Sequence, residues 1–255
     1  MEGKTALITG GSRGIGAETV RLFTQAGARV AFSYRLARDR AEALAAECGG
    51  TRRCIAIEQD LATPTDGRAL VDAAVKAFGR LDILVVNHGI WPPHDAPIAT
   101  MRENQWRQTM GINLDSVFGL VQATVGQMEQ QTASEAGARG HIVLISSTAG
   151  QRGEAYHADY GASKGAMIAF VKSLAPELAG RDITVNSVAP GWVDTEMCAI
   201  PYADGGRDRI AATIPLGRVA DARDIAGPIV FLCSPLARHI TGEILNVNGG
   251  SVLCG

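Results

Sequence analysis

A tyrosine, a lysine and a serine form the first set of residues in this chain that could do chemistry. Tyr160 and Lys164 stand four positions apart, and Ser147 precedes the tyrosine by thirteen positions. On a helix, positions i and i+4 lie on the same face, so the phenol and the ammonium would be neighbours. A nearby ammonium favours the phenolate, and the spacing therefore predicts that the pKa of Tyr160 falls from its ordinary value of about 10. Such a phenol could exchange a proton with the oxygen of an alcohol or a ketone.

The same spacing also occurs on ordinary helix surfaces, so the function depends on the elements that position these residues. Short apolar runs alternate with longer amphipathic segments along the whole chain. The predicted strands are 5–9, 28–34, 52–57, 82–87, 141–146, 183–188 and 243–248. The predicted helices are 15–26, 38–47, 65–78, 102–130, 155–179 and 221–233. Several strands are apolar at successive positions, which is typical of strands covered on both faces.

This alternation predicts an α/β fold with a single Rossmann-type, doubly wound parallel sheet of about seven strands and helices on both faces. Pro64 and Asp221 are the clearest signals for the start of a helix. The composition never shifts enough to indicate a linker, so we expect one domain over residues 1–255.

Composition and charge exclude several classes of function. The 255 residues carry a net charge of −2 with acidic and basic residues interspersed, which gives no support to nucleic-acid or membrane binding. The first ten residues lack the apolar core of a signal peptide, and no apolar run could span a bilayer. The five cysteines are scattered and no histidines cluster, so we expect no metal site and reduced thiols in a cytoplasmic protein.

A glycine-rich turn follows the first predicted strand. Gly10, Gly14 and Gly16 are spaced G-x-x-x-G-x-G, with Ser12 and Arg13 between them and Ile15 before the last glycine. Glycine permits a tight turn and lets backbone N–H groups approach a pyrophosphate at a helix N-terminus. An ordinary strand-to-helix turn is the alternative, but the position favours a dinucleotide site.

The end of the second predicted strand bears on the choice of dinucleotide. An NAD site needs an acidic residue about 20 residues beyond the glycine turn, and here Tyr34 and Arg35 stand at that point. Arg13 and Arg35 would suit a 2′-phosphate, so NADP(H) is favoured and NAD(H) is possible. The alternative is that one or both arginines face solvent. Asp60, after the third strand, could accept a bond from the adenine amino group or cap the turn before Pro64.

The carboxyl ends of the predicted strands bring these residues together, because ligands bind there in doubly wound sheets. The glycine turn follows the first strand, Asn87 and Gly89 the fourth, Ser147 the fifth, and Pro190 and Gly191 the sixth.

In this order and spacing, the sequence resembles the short-chain dehydrogenase/reductase family along nearly its whole length. The motifs that carry the resemblance are TGGSRGIG, the Asn-x-Gly after strand four, Asn113, Ser147, Tyr160-x-x-x-Lys164, Pro190-Gly191 and the C-terminal TGEILNVNGG. Within the family, the chain is most similar to 3-oxoacyl-[acyl-carrier-protein] reductases and related bacterial ketone reductases.

The resemblance implies catalytic roles for four residues. Tyr160 would be the acid in reduction and the base in oxidation, and Ser147 would donate a hydrogen bond to the substrate carbonyl. Lys164 would lower the pKa of Tyr160 and bind the nicotinamide ribose. Asn113 would hold a water in a proton relay, although asparagine inside a helix often only pairs with nearby backbone.

The resemblance also implies a set of cofactor-binding residues and a division of the chain. Cofactor binding falls mainly to residues 1–115, and catalysis and substrate binding mainly to residues 116–255. The implied cofactor-binding residues are Gly10, Ser12, Arg13, Gly14, Ile15, Gly16, Tyr34, Arg35, Asp60, Leu61, Asn87, Gly89, Tyr160, Lys164, Pro190, Gly191, Val193 and Thr195.

Two departures from the family pattern bear on function. His88 occupies the middle of the Asn-x-Gly motif, and we assign it no acid–base work. The segment 127–139 is longer than expected, which blurs the match to the basic residues that dock an acyl carrier protein. Arg181 matches one such position, while Arg139 is uncertain, so the carrier remains a possible partner.

The substrate is expected to be a ketone, an alcohol or an acyl thioester. Three stretches should line its site: 90–98, 151–157 and 192–214, the last with glycines that suit a mobile lid. An apolar pocket could be formed by Trp91, Tyr156, Trp192 and Tyr202.

Apolar residues on more than one face of helices 102–130 and 155–179 favour a homo-oligomer, which the resemblance implies is a tetramer. The apolar residues 251–255 could pack at a subunit contact. The leading hypothesis is an NADPH-dependent ketone reductase of the 3-oxoacyl type. A secondary-alcohol, steroid or sugar dehydrogenase and a nucleotide-binding sensor without catalysis are the alternatives.

Overall fold

Seven strands form one parallel sheet, as the sequence predicts. The computed structural model describes residues 1–132 and 138–253. The strands are β1 (Thr5–Ile8), β2 (Arg29–Tyr34), β3 (Cys54–Glu58), β4 (Ile83–Val86), β5 (Gly140–Ile145), β6 (Ile183–Pro190) and β7 (Ile244–Val247). They pair in the order β3-β2-β1-β4-β5-β6-β7, and every pairing is parallel. The direction of winding reverses between β1 and β4, which is where ligands bind in sheets of this kind.

Helices cover both faces of the sheet. They are α1 (Gly14–Gln25), α2 (Arg38–Glu47), α3 (Pro64–Phe78), α4 (Glu103–Met110), α5 (Ser116–Gln130), α6 (Thr148–Arg152), α7 (Ala158–Ala179), α8 (Ala199–Tyr202), α9 (Gly206–Ala211) and α10 (Ala222–Leu232). One apolar core lies under α1, α2 and α10, and a second lies under α3, α5 and α7.

Successive residues of each central strand enter opposite cores. Ala6 and Ile8 of β1 belong to the first core, whereas Leu7 between them belongs to the second. The same alternation places Ile83 on one side of β4 and Leu84 on the other. Because side chains point alternately to the two faces of a strand, a sheet covered on both sides needs an unbroken apolar run. This explains the strand patterns of the sequence.

Helix starts follow the capping signals in the sequence. Thr63 caps α3, its hydroxyl accepting from Asp66 N at 3.3 Å while Asp66 accepts from Thr63 N at 2.8 Å, and Pro64 follows as the first helical residue. Asp221 and Asp224 form the same reciprocal arrangement at α10. Asp60 is not a cap, because the cap of α3 is Thr63.

The predicted helix 102–130 is wrong as a single regular helix. A π-helical turn, Gly111–Asp115, joins α4 to α5. A π-turn inserts an extra residue into the helical ladder and is common at functional sites, and nothing in the apolar periodicity of the sequence marks it.

Other boundaries differ for local reasons. Helix α7 begins at Ala158 rather than at residue 155, because Tyr156 adopts a φ of +64° that no helix accommodates. Strand β3 begins at Cys54, after a short 3-10 turn over Gly50–Arg52. Helices α6, α8 and α9 occupy segments that the sequence left without regular structure.

The described residues hold neither a membrane-spanning helix nor a metal-binding cluster. No helix within residues 1–132 and 138–253 is long and apolar enough to cross a bilayer. The same residues contain no cluster of histidine, cysteine, aspartate and glutamate side chains that could hold a metal ion.

Candidate active site

A cleft of about 430 Å³ lies at the carboxyl ends of the strands. Nearly all the site residues predicted from the sequence line it: Gly10, Ser12, Arg13, Gly14, Ile15, Tyr34, Arg35, Asp60, Leu61, Asn87, Gly89, Ser147, Tyr160, Lys164, Pro190, Gly191, Val193 and Thr195. Gly16 and Asn113 do not line the cleft and contact residues that do.

The glycine turn leaves space for a dinucleotide only because side chains are missing from it. A Cβ on Gly16 would lie 2.2 Å from Gly10 O and 2.6 Å from Asn87 Nδ2. The Asn87 amide donates to Thr9 O and Gly10 O, both at 3.1 Å, and so ties the turn to the end of β4. No side chain caps α1, whose first N–H groups therefore face the cleft, as an anion site requires. The turn fits the pyrophosphate of a dinucleotide.

We expect Gly16→Ala to destabilise the protein by about 1–3 kcal/mol, because the added methyl group has nowhere to go. Nucleotide binding should weaken with it, since the turn must shift. The matched control is Gly126→Ala in α5, where a Cβ meets nothing within 4 Å. That variant should be unchanged or more stable by up to about 1 kcal/mol. Urea unfolding and nucleotide titration measure both effects, and equal stabilities for the two variants would contradict the prediction.

His88, which also lines the cleft, joins three elements through its ring nitrogens. Its Nδ1 lies 2.7 Å from Thr9 Oγ1, and its Nε2 lies 3.1 Å from Ile112 O and 2.9 Å from Ser116 Oγ. The Ser116 hydroxyl donates to Ile112 O, so the consistent tautomer carries the proton on Nε2 and accepts from Thr9. Burial, helped by the charge of Lys164, lowers the pKa of His88 to about 3. His88 is thus a neutral residue that ties Thr9 to the π-turn, and its lack of acid–base work stays a prediction.

The buried imidazole predicts a loss of stability in acid. Between pH 6.5 and about 3 the unfolded chain binds a proton at His88 that the folded protein does not, so stability falls as pH falls. Well below pH 6.5, this one group lowers the free energy of unfolding by about 1.4 kcal/mol for each pH unit of acidification. The variant His88→Gln should lose this component of the slope when unfolding free energy is measured from pH 6.5 to 4.5. The exposed His239→Gln should keep it, and identical slopes for the two variants would disprove the assignment.

Ser147, Tyr160 and Lys164 converge in the cleft. Ser147 follows β5 as the N-cap of α6, with its Oγ accepting from Ala149 N at 3.1 Å, and its hydroxyl also bonds Tyr160. The neighbouring Ser146 points elsewhere, toward Val188 O at 3.4 Å. Lys164 Nζ lies 5.8 Å from the centre of the Tyr160 ring and donates to Ile145 O at 2.8 Å.

The expected fall in the pKa of Tyr160 is not found. Burial raises the pKa of its phenol well above the ordinary value, and the hydrogen bond from Ser147 opposes this only in part. Burial also lowers the pKa of Lys164 to about 8. The sequence argument counted the attraction between the two groups but not the cost of taking both charges out of water. Tyr160 is therefore a protonated phenol, which is the form that can give a proton to a ketone oxygen.

Asn113 lies within the π-turn and is fully buried. Its Nδ2 donates to Ile90 O at 2.9 Å and to Ser163 Oγ at 3.1 Å, and its Oδ1 accepts from Ile90 N at 2.8 Å. A Cβ on Gly89 would stand 3.1 Å from Asn113 Oδ1 and 3.5 Å from Lys164 Nζ. The geometry favours the backbone-pairing alternative for this side chain, which fixes the chain beside the ammonium.

Both arginines proposed for the 2′-phosphate line the cleft, but each has an acidic partner. Arg13 pairs with Glu196 at 2.7 Å, and Arg35 Nη1 lies 3.9 Å from Asp60. Tyr34 donates to Glu58 Oε2 at 3.3 Å. The sequence predicted that both arginines lie at the cleft, and they do. It did not predict their neighbour Glu196, because no motif links residue 196 to the glycine turn.

The substrate end of the cleft is only partly as expected. Of the four predicted aromatic residues, Trp91 and Trp192 line it, whereas Tyr156 and Tyr202 do not. Tyr202 donates to Val193 O at 3.0 Å, and Tyr156 is exposed. A carboxylate from the predicted stretch 151–157, Glu154, lines the cleft and accepts from Trp91 Nε1 at 3.2 Å. Burial raises the pKa of Glu154.

The glycines of the expected lid have a packing role. Gly205 has a φ of +74°, and a Cβ on Gly206 would lie 1.9 Å from Pro201 O. These residues allow the sharp turn from α8 into α9, so they are not by themselves evidence of a hinge.

The possible carrier-docking residues are both engaged within the chain. Arg181 pairs with Glu129 at 2.6 Å, and Arg139 donates to Gln131 O at 2.9 Å and to Glu129 O at 3.2 Å. Residues 133–137 of the long segment 127–139 lie outside the described residues, as do residues 254–255 of the apolar C-terminus. Val252 of that C-terminus is buried within the chain.

The fold and the cleft define a class: a doubly wound α/β protein with a dinucleotide-type turn and a Ser–Tyr–Lys group at the switch point. A family profile described as enoyl-(acyl carrier protein) reductase matches residues 10–251. The 3-oxoacyl-[acyl-carrier-protein] reductase FabG of Vibrio cholerae is 38% identical over 251 residues, 98% of each chain.

Solved structures with the same fold belong to related proteins. A short-chain dehydrogenase/reductase from Brucella melitensis, titled a glucose/ribitol dehydrogenase, superposes with a TM-score of 0.89 at 34% identity, over 100% of this chain and 98% of that one. A blue fluorescent protein from a metagenomic library, in complex with NADPH, superposes with a TM-score of 0.88 at 35% identity over 99% of each chain. The chain belongs to the short-chain dehydrogenase/reductase family and is an NAD(P)-dependent oxidoreductase acting on carbonyl and hydroxyl groups.

Proposed function

We propose that the protein is an NADPH-dependent ketone reductase of the 3-oxoacyl-[acyl-carrier-protein] reductase type. The observation that carries the proposal is that Ser147, Tyr160 and Lys164 converge in the same cleft as the glycine turn. A relative with that reductase name, 38% identical over 98% of its length, supports the choice of substrate class.

The proposed chemistry divides among four side chains. Tyr160 gives its proton to the carbonyl oxygen in reduction and takes one back in oxidation. Ser147 donates a hydrogen bond to the same oxygen as negative charge develops there. Lys164 binds the nicotinamide ribose and stabilises the phenolate left after proton transfer. Asn113 shapes the space beside Lys164 in which a relay water would bind. The bound nicotinamide supplies the hydride.

NADP(H) is the proposed cofactor, with NAD(H) as a possible substitute. Arg13 and Arg35 lie at the cleft, and the end of β2 offers no acidic side chain to the ribose hydroxyls. A structural relative at 35% identity was crystallised with NADPH. The glycine turn would hold the pyrophosphate, and the segment Pro190 to Thr195 would hold the nicotinamide end.

The experiment is a substrate panel followed by the absorbance of reduced nicotinamide with both cofactors. Acetoacetyl-carrier protein should turn over much faster than simple ketones, secondary alcohols or a sugar such as ribitol. The sugar arm is included because a structural relative is titled a glucose/ribitol dehydrogenase, and an enoyl thioester is included because the family profile carries that description. Preferred turnover of the sugar or the enoyl thioester would overturn the proposal.

We also propose that residues 1–255 form one domain, cytoplasmic, with cofactor binding mainly in 1–115 and substrate binding mainly in 116–255. A homotetramer is the proposed assembly, since Trp106 of α4 and Phe118 of α5 are more than a third exposed in the single chain. Docking of an acyl carrier protein near Arg139 and Arg181 remains part of the proposal. Sedimentation would measure the assembly.

A further inference from the structure

One carboxylate at the mouth of the cleft holds two arginines at once. Glu196 Oε2 accepts from Arg13 Nη1 at 2.7 Å, and Glu196 Oε1 pairs with Arg40 Nη1. Arg13 belongs to the glycine turn, Arg40 to α2, and Glu196 to a short 3-10 turn that precedes α8. The Glu196 side chain therefore joins the segment before α8 to both the glycine turn and α2.

Arg13 is one of the two arginines expected to bind the 2′-phosphate of the cofactor. Carboxylate and phosphate oxygens are alternative acceptors for the planar donor fork of a guanidinium. Two guanidiniums and one carboxylate leave a single positive charge, whereas a phosphate monoester brings about −1.5 to −2. Glu196 and the phosphate would repel each other if both remained at Arg13, while a phosphate held by both arginines without Glu196 is nearly neutralised.

We propose that Glu196 is an internal competitor for the 2′-phosphate of NADP(H), displaced from Arg13 and Arg40 when that phosphate binds. The inference rests on the proposed cofactor. It makes Arg40, which no motif singled out, a second partner of the phosphate, and it makes Glu196 a residue that sets the preference between NADPH and NADH.

The displacement would also release one attachment of the segment that leads into α8. This segment packs on the glycine turn, where a Cβ on Gly14 would lie 3.1 Å from Thr195 Cγ2. On its far side, Asp194 pairs with Arg207 of α9 at 2.7 Å. Glu196 is its ionic attachment to Arg13 and Arg40, and Cys198, two residues further on, lines the cleft. Cofactor affinity and the position of Cys198 are thereby coupled.

The test is Glu196→Gln, titrated with NADPH and with NADH by fluorescence. NADPH affinity should rise by about two- to fivefold, the range that an exposed ion pair is worth, and NADH affinity should rise less. The difference between the gain in NADPH affinity and the gain in NADH affinity should shrink at high salt. The matched control is Glu103→Gln, which removes an exposed carboxylate paired with Arg107 at 2.6 Å outside the cleft, and it should change neither affinity.

A second readout is independent of cofactor. Without nucleotide, a thiol reagent should label Cys198 faster in Glu196→Gln than in the unaltered protein, followed by peptide mass spectrometry. The buried Cys48 serves as the internal reference. If the unaltered protein binds NADPH but Glu196→Gln gains no NADPH preference, or gains equally for both nucleotides, this inference is overturned and the proposed function stands. If the unaltered protein binds neither nucleotide, the proposed function fails and takes the inference with it.

Discussion

Replacing Tyr160 with phenylalanine should lower kcat by about 10²–10⁴-fold, the range attributed to a positioned acid or base. The ring stays, so packing in the cleft is kept, and only the hydroxyl that bonds Ser147 is lost. NADPH affinity should remain within about threefold, because the phenol gives its proton to the substrate rather than holding the pyrophosphate. Steady-state kinetics on the best substrate of the panel and NADPH titration measure the two quantities.

The matched control for Tyr160→Phe is Tyr156→Phe, four residues earlier. Tyr156 is exposed and lies outside the cleft lining, so its hydroxyl should be dispensable. A Tyr160→Phe enzyme with unaltered turnover would remove the acid–base assignment and favour a nucleotide-binding sensor without catalysis. A variant that loses NADPH binding as well as turnover would show that the phenol serves the cofactor.

Replacing Ser147 with alanine should lower kcat by about 10²–10³-fold, as expected for the loss of one hydrogen-bond donor to a developing oxyanion. The variant also loses the N-cap of α6, which costs about 1 kcal/mol of stability and can be measured separately by urea unfolding. Because the Ser147 hydrogen bond lowers the pKa of Tyr160, its removal should move the alkaline limb of the kcat profile upward in pH.

Ser146→Ala provides the control within the same strand end. Ser146 also lines the cleft, but its hydroxyl is directed toward Val188 O of the neighbouring strand β6, so we expect it not to serve as the donor to the substrate oxygen. Its kcat should stay within about twofold, because its own bond is long and weak. Equal losses for the two serine variants would point to a disturbed β5 end instead of a lost donor.

The apolar patterns of the sequence predict the fold because each central strand places its side chains in two apolar cores, one on each face of the sheet. The run Ala6, Leu7, Ile8 has no polar position, and only a sheet covered on both faces buries all three side chains. The cleft followed from the sheet, since the residues after β1, β4, β5 and β6 meet at one edge.

The features that escaped prediction depend on contacts distant in sequence or on solvation. Glu196 meets Arg13 across 183 positions, and no spacing rule connects them. The pKa of Tyr160 rises because burial disfavours the charged phenolate, which four-residue spacing does not report. Tyr156 delays the start of the predicted helix 155–179 through its positive φ, which the apolar pattern does not report.

The π-turn between α4 and α5 has a consequence for changes in chain length. A π-turn holds one residue more than the α-helical turn it replaces, so deleting one residue within Gly111–Asp115 would let α4 and α5 join as one regular helix with the buried face of α5 kept. The loss would fall on the turn itself, where Asn113 bonds the backbone of Ile90 and Ile112 accepts from His88. Descendants of this gene with a single-codon deletion in 111–115 should therefore still fold but lose the arrangement beside Lys164.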